Sequence, residues 1–395
     1  MKQTIAIIGG GPAALMLAAF LKEEQFDVTI YEKNKTVGRK FLVAGKGGFN
    51  LTHSESLSAF AERYTPAHFL QPALHHFSNE HLRQWLESIG IPTFVGSSKR
   101  VYPEKGIKPI EVLQKILAVL EEKGVRILTE HTWTGWGADN TLLFAEQMPI
   151  AADYTVFALG GGSWKVTGSD GSWLTIFTKK GIATKAFKPA NCAYQMDWPT
   201  TFLSKNEGQP LKNIAISCEN STQKGEAVIT HFGLEGNALY ALSPQIQAQL
   251  EEQGKATVYL DLKPMFTEEE ILRRLRSSRE KTMSSTLRRG LKLGPTKMDM
   301  LQALLPKETY LVPEKLAPSI KRLPLTLLGA APLDEAISTT GGIALEAVNA
   351  NFELSQLPKT FCIGEMLDWN APTGGYLLQA CFSMGVFLAD YLGGE

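Results

Sequence analysis

Cysteine is scarce in this chain: Cys192, Cys218, Cys362 and Cys381 are its only four in 395 residues, and no two of them form a C-x-x-C pair. That spacing argues against a disulfide scaffold and a thiolate zinc site, and it fits a reducing cytoplasm. An excess of one charge is also lacking, because 40 Lys and Arg balance 40 Asp and Glu. Whole-chain charge therefore points to no polyanion. Nor is there a long hydrophobic run. The longest near the C-terminus, LLQACFSMGVFLADYL, is shorter than the roughly 20 residues a bilayer requires and carries Asp390. It reads as a buried helix, and no membrane partner is expected. Four of the seven histidines (His68, His75, His76 and His81) lie close in sequence but lack acidic or thiolate partners at ligand spacing, so no metal is expected. The chain does have length for two or three domains and 44% hydrophobic residues with which to fill their cores.

The opening stretch, IAIIGGGPAALMLAAFLKEE, follows Met1 and Lys2. A basic start running into small apolar residues is also how a secretory leader begins. A leader has no need of Gly-Gly-Gly-Pro at its centre. TIAII is a continuous β-branched run, as in a strand buried on both faces of a parallel sheet. Gly9, Gly11 and Ala14 then give the spacing G-x-G-x-x-A, with Pro12 and Ala13 opening a helix. Gly9 serves the turn, Gly11 lets backbone approach a pyrophosphate, and Ala14 lets the helix pack on the strand. A second strand, DVTIYE, ends at Glu32, 21 residues after Gly11. A carboxylate there accepts from ribose hydroxyls, with Lys33 beside it. Alone, this unit fits NAD or FAD.

A second glycine-rich loop, VGRKFLVAGKGGFNLTHSE, follows directly. It brings Arg39, Lys40 and Lys46 toward a pyrophosphate and gives backbone access to a flat ring, which favours FAD. Here the chain resembles the BaiN-like family of FAD-dependent oxidoreductases, whose loop is close to G-R-K-x-x-x-[SA]-G-x-G-x-C-N-[VL]-T. The match runs through Gly38, Arg39, Lys40, Ala44, Gly45, Gly47, Asn50, Leu51 and Thr52, but Phe49 stands where many relatives carry cysteine. Three more segments resemble the family: KRVYPEKG; VFALGGGSWKVTGSDG with Gly160 and Gly161; and FCIGEMLDWNAPTGGYLLQ with Gly364, Glu365, Gly374, Gly375 and Tyr376. The resemblance implies FAD bound by these residues, with Trp133 contacting the adenine side. TGGY opens a helix, and a helix N-terminus at the flavin N1/C2=O edge would stabilise the negative charge of reduction.

Cofactor motifs occupy residues 1–190 and return at 336–395, the expected FAD-binding domain of Rossmann-like α/β class. The excursion is β-rich over 191–266 and again at 322–335, which reads as a β-barrel-like insert, and helical over 267–321. Residues 271–300 hold nine Lys and Arg against Glu280 and Asp299, a net of +7 that leaves the remainder at −7. A solvated helical surface is the plain reading, and RNA or another phosphate-bearing ligand is the functional one.

No second nucleotide-binding unit and no paired redox cysteines appear, so NAD(P)H, if it is the donor, must bind transiently. For proton transfer the candidates are His231 in ITHFGLEG, where relatives read T-H-x-G-x-S-G-P and this chain departs at Glu235 and Asn237, and His53 after the flavin loop. The expected activity is FAD-dependent reduction of a conjugated C=C bond or electron-poor ring of a small-molecule substrate. The alternatives are reduction of uridine in structured RNA, a flavin-binding sensor without turnover and, more remotely, an NAD-only dehydrogenase.

Overall fold

The computed structural model describes residues 1–43 and 49–394. Ala44, Gly45, Lys46, Gly47 and Gly48, part of the second glycine-rich loop, lie outside the described residues. Met1–Pro189 with Leu333–Glu395 form one compact unit, and Ala190–Pro332 form another.

The first unit is organised by a parallel five-stranded sheet. Strand β1 (Gln3–Ile8) leads through the glycine turn into helix α1 (Pro12–Phe20), and β2 (Phe26–Tyr31) returns beside β1. Helix α2 (Pro109–Glu122) crosses to β3 (Arg126–Leu128), which pairs with β2. On the other side β4 (Tyr154–Phe157) pairs with β1, and β5 (Thr360–Cys362) with β4, giving the order β5-β4-β1-β2-β3. Ile5, Ile7 and Ile8 are buried because both faces of this sheet are covered.

Helix α1 is apolar around most of its circumference, with Ala13 through Ala19 all buried. Its partner is α3 (Tyr376–Leu392), the helix read from LLQACFSMGVFLADYL. The two backbones meet at Gly385, where a Cβ would stand 2.6 Å from Ala13 O and 2.8 Å from Leu17 N. By contrast α2 buries one stripe, Val112, Leu113, Ile116 and Leu120, as an amphipathic surface helix does. No helix among the described residues is long and apolar enough to cross a membrane. A small antiparallel sheet joins Thr52–His53 and Thr93–Val95 on either side of Arg100–Pro103.

The second unit is built on a seven-stranded sheet in which Ala256–Asp261 alternates buried and half-buried residues, the period of a strand with one covered face. The expected barrel-like insert is an open sheet: its end strands are Leu323–Leu327 and Gly329–Ala330, and no pairing among the described residues closes it. The helical excursion, from Glu268–Arg276 to Pro313–Lys321, leaves and re-enters between Ala256–Asp261 and Leu323–Leu327, strands that pair with each other.

Candidate active site

The site begins at the turn after β1. Gly9 has φ +103, and a Cβ there would lie 2.5 Å from Ala158 O, so the position admits no side chain. Gly11 differs. Its φ is −83, an ordinary extended value, and the nearest atom to a Cβ would be Ala158 O at 4.0 Å. That open space faces the start of α1, which has no side-chain cap, so its first N–H groups and positive dipole end are free for an anion.

Glu32, just past the end of β2, ties this turn to its neighbour. Its Oε2 accepts from Gly10 N at 2.8 Å, and its Oε1 accepts from Asn34 N at 2.8 Å and Asn34 Nδ2 at 2.6 Å. A carboxylate has about four acceptor positions, so one remains for a ligand hydroxyl. Beside it Lys33 pairs with Asp170 at 2.9 Å.

Gly9, Gly11, Glu32, Lys33 and Asn34 line a cleft that also contains Pro12, Ala13, Arg39, Lys40, Trp133, Gly160, Gly364 and Glu365. At one end Trp133 packs against Phe157 and Trp136, with its Nε1 buried and unpartnered among the described residues. Arg39 donates from Nη2 to Val166 O at 2.8 Å, while its buried Nε has no partner among the described residues. At the other end Lys40 Nζ donates to Glu365 Oε2 at 3.0 Å and to Ser163 Oγ at 3.2 Å.

Pro12, Lys40, Glu365 and Cys381 also line a second cleft, of about 320 Å³, with Asn50, Gly374 and Gly375. Its apolar walls are Phe41, Val43, Trp164, Ile337, Leu377 and Leu378, and Arg100 lines it as well. Phe49, the residue in place of the relatives' cysteine, packs edge-to-face on Phe41 at 5.0 Å, so no thiol is available from that position. Burial, reinforced by the Glu365 carboxylate, pushes the Cys381 thiol far up, which makes it inert.

The remaining sequence candidates do not line either cleft. Ala14 and Leu51 are core residues, and a Cβ on Gly161 would collide with Thr339 Oγ1. Tyr376 turns its hydroxyl away, donating to Glu55 at 2.6 Å, while its carbonyl accepts from Tyr64. His53 stacks on the Tyr376 ring at 5.3 Å. Burial chiefly, against the pull of Glu55, holds His53 below the ordinary imidazole value. Burial also pushes Glu55 upward, but hydrogen bonds from Arg63 and Tyr376 help to hold it below the carboxylate range. This assembly clamps the start of α3. His231 belongs to the second unit, its side chain 81% exposed and 3.6 Å from Glu207. His76 faces Asp390 and His81 caps a helix; no three metal-ligating side chains converge among the described residues.

Sequence reading singled out neither Asp170 nor Arg100. Asp170 lies in the quoted TGSDG segment and Arg100 in KRVYP, so a signal was present, but each gains its role from a neighbour distant in the chain.

The donor set fits FAD. An aromatic end, a ribose carboxylate, an uncapped helix start beside a guanidinium whose Nε is unengaged among the described residues, and the Lys40–Glu365 pair follow one another into a second, apolar cleft. A nicotinamide dinucleotide would need no such continuation.

Comparison with known proteins agrees with that fit. The chain is 24% identical over 399 residues to a 3-dehydro-bile acid delta(4,6)-reductase of Clostridium scindens, covering 96% of this chain and 97% of the relative. It is 24% identical over 404 residues to a ribosomal RNA dihydrouridine synthase of Haemophilus influenzae, covering 95% of each. The 3-ketosteroid-delta4-(5alpha)-dehydrogenase of Rhodococcus jostii RHA1 has a similar fold, with TM-score 0.50 and 13% identity over 98% of this chain and 97% of that one. The family model described as the HI0933-like protein Rossmann domain matches residues 3–391, and the chain therefore belongs to that family, as an FAD-dependent oxidoreductase.

Proposed function

We propose that the protein reduces a conjugated C=C bond or an electron-poor ring in an apolar small molecule, with NAD(P)H as the transient electron donor. The observation that carries this reading is the second cleft: it continues the cofactor cleft past Lys40 and Glu365, and most of its wall is apolar. The activity named for the Clostridium scindens relative, reduction of a bile acid, is of the same class. When bound, FAD supplies hydride transfer from N5. Glu32, Arg39 and the start of α1 would hold its ribose and phosphates, and Lys40 with Glu365 its polyol. Phe41, Trp164 and Leu378 would exclude water from the reacting carbons. Neither candidate histidine, His53 or His231, lines a cleft, so in this reading water or a substrate-borne group completes the reduction.

Stopped-flow mixing of the holoenzyme with NADH and NADPH tests the donor. Bleaching of the flavin at catalytic rates is expected with one of them. Absence of reduction by either would leave a flavin-binding sensor as the better description.

A second reading rests on the helical part of the second unit. Arg276 and Arg289 are neutralised by Glu314 and Glu280, but Lys263 and Arg274 both lie over the Phe266 ring, at 5.5 and 4.4 Å. Burial, and then the charges of Lys292 and Arg274, pull the Lys263 ammonium below its ordinary value. Lys263, Arg274 and Lys292 form no ion pair among the described residues, which suits a phosphate backbone although Asp261 stands beside Lys263, and the Haemophilus influenzae relative carries an RNA activity in its name. RNA binding that weakens steeply with salt, and is lost in K263E/R274E/K292E, is expected on this reading. Unchanged binding in that variant removes it.

A further inference from the structure

Of the charged groups that line the second cleft among the described residues, Arg100 alone has no counter-charge. Among the described residues that line it, Glu365 is the only carboxylate, and it is engaged by Lys40 at 3.0 Å. No ion pair or side-chain hydrogen bond is formed by the Arg100 guanidinium among the described residues, and residues 44–48 contain no acidic side chain. The guanidinium is half-buried on the cleft wall, so it is available to an anionic group that enters there.

Its position is tightly set. Arg100 begins the strand Arg100–Pro103, in register with His53 across the pair Thr52 and Val101. The start of α3 packs directly on that strand pair: at Gly375, φ +103, a Cβ would come within 2.5 Å of the Thr52 backbone. A Cβ on Gly374 would stand 3.3 Å from Arg100 Nε. The guanidinium therefore sits at the mouth of the α3 N-terminus, which has no side-chain cap. A full positive charge and a helix dipole end converge on one edge of the cleft.

We infer that Arg100 is a catalytic residue: it is the counter-charge for the negative charge that reduction places on the flavin N1–C2=O edge. The inference rests on FAD occupying both clefts. A cation at that edge favours the reduced over the oxidised ring, and so sets the driving force with which electrons are accepted from a donor. Leu377 and Leu378 keep the same edge dry, which strengthens the interaction.

Sulfite is a direct probe, because its sulfur lone pair forms a bond to N5 while the displaced electron pair moves onto N1–C2=O, without any substrate. The holoenzyme, R100Q and R100K are compared by released FAD, by absorbance titration with sulfite and by flavin midpoint potential. In R100Q, with FAD content retained, sulfite affinity should fall by about tenfold or more and the potential should drop, each tenfold in the redox equilibrium being about 30 mV for a two-electron couple. R100K, which keeps the charge, should recover most of both. R100M, which keeps the stem packing, replaces R100Q if that variant does not fold. Unchanged sulfite affinity and potential in the neutral variant overturn the assignment and mean that Arg100 meets substrate instead. Equal losses in R100K and R100Q also overturn it, since they would show that charge is not the cause. A wild-type protein that takes up no FAD would overturn the cofactor assignment itself, a result separable from either of these.

Discussion

Two glycines only two residues apart should respond to the same substitution in opposite ways. Gly9→Ala forces a side chain into φ +103 and toward Ala158 O at 2.5 Å. Left-handed backbone costs about 1–2 kcal/mol for a residue with a Cβ, and the overlap with a strand carbonyl adds overpacking of about 1–3 kcal/mol. Loss of about 2–5 kcal/mol of folding stability is expected, with or without cofactor. Gly11→Ala meets neither penalty, since φ is −83 and the nearest atom is 4.0 Å away. Removing a glycine where the backbone is already compatible stabilises by about 0.4–1 kcal/mol. The methyl group would nevertheless occupy the space in front of the α1 N-terminus where a phosphate must approach. FAD affinity should fall by about 10- to 100-fold, or roughly 1.4–2.8 kcal/mol. Denaturant unfolding of flavin-stripped protein and titration with FAD by flavin fluorescence separate the two effects. Gly11→Ala binding FAD as tightly as wild type would refute the placement of the pyrophosphate, and an unfolded Gly11→Ala would refute the reading of that space as open.

Glu32→Ala removes three accepted hydrogen bonds and the ribose acceptor together. It should strip FAD during purification and lower stability by about 1–3 kcal/mol for the buried donor left unpaired; full flavin occupancy would mean that the ribose lies elsewhere. His53 is held below its ordinary value chiefly by burial, so the folded protein resists a proton that the unfolded chain accepts below about pH 6.5. Its contribution is full above that pH and declines as pH falls. Glu55, also depressed, contributes above about pH 4.3 and loses its effect only in more acid solution. Urea unfolding between pH 7.5 and 5.5 should therefore flatten in His53→Gln, and an unaltered slope would count against the burial argument.

The parts of the site that were legible in the sequence are those held within one supersecondary unit. Gly9, Gly11 and Glu32 are separated by a single strand-turn-helix-strand, and their spacing fixes which turn, helix start and strand end they occupy. Trp133, Gly364 and Gly374 became legible through resemblance. What spacing does not encode is the pairing of distant groups. Tyr376 and Glu55 are 321 positions apart, and their hydrogen bond gives Tyr376 a second role that its motif does not show, a clamp on α3. Lys40 and Glu365 are 325 apart, so each was legible while their pairing was not. The period-two alternation of Ala256–Asp261 shows one covered face, but it is silent on whether a sheet closes, which is why the barrel-like expectation met an open sheet. His231 lies in a motif-like segment, yet its exposure depends on the whole second unit.

The pairing of α1 with α3 also bears on how the protein comes into being. Seven consecutive residues of α1, Ala13–Ala19, are buried, and the helix that covers much of them begins only at Tyr376. At about 5–20 residues per second, translation leaves that greasy surface without its partner for roughly 20–70 s. Strand β4 meanwhile waits with a bare edge for β5. Slowed elongation beyond residue 20 should therefore cost folded yield more than slowed initiation does.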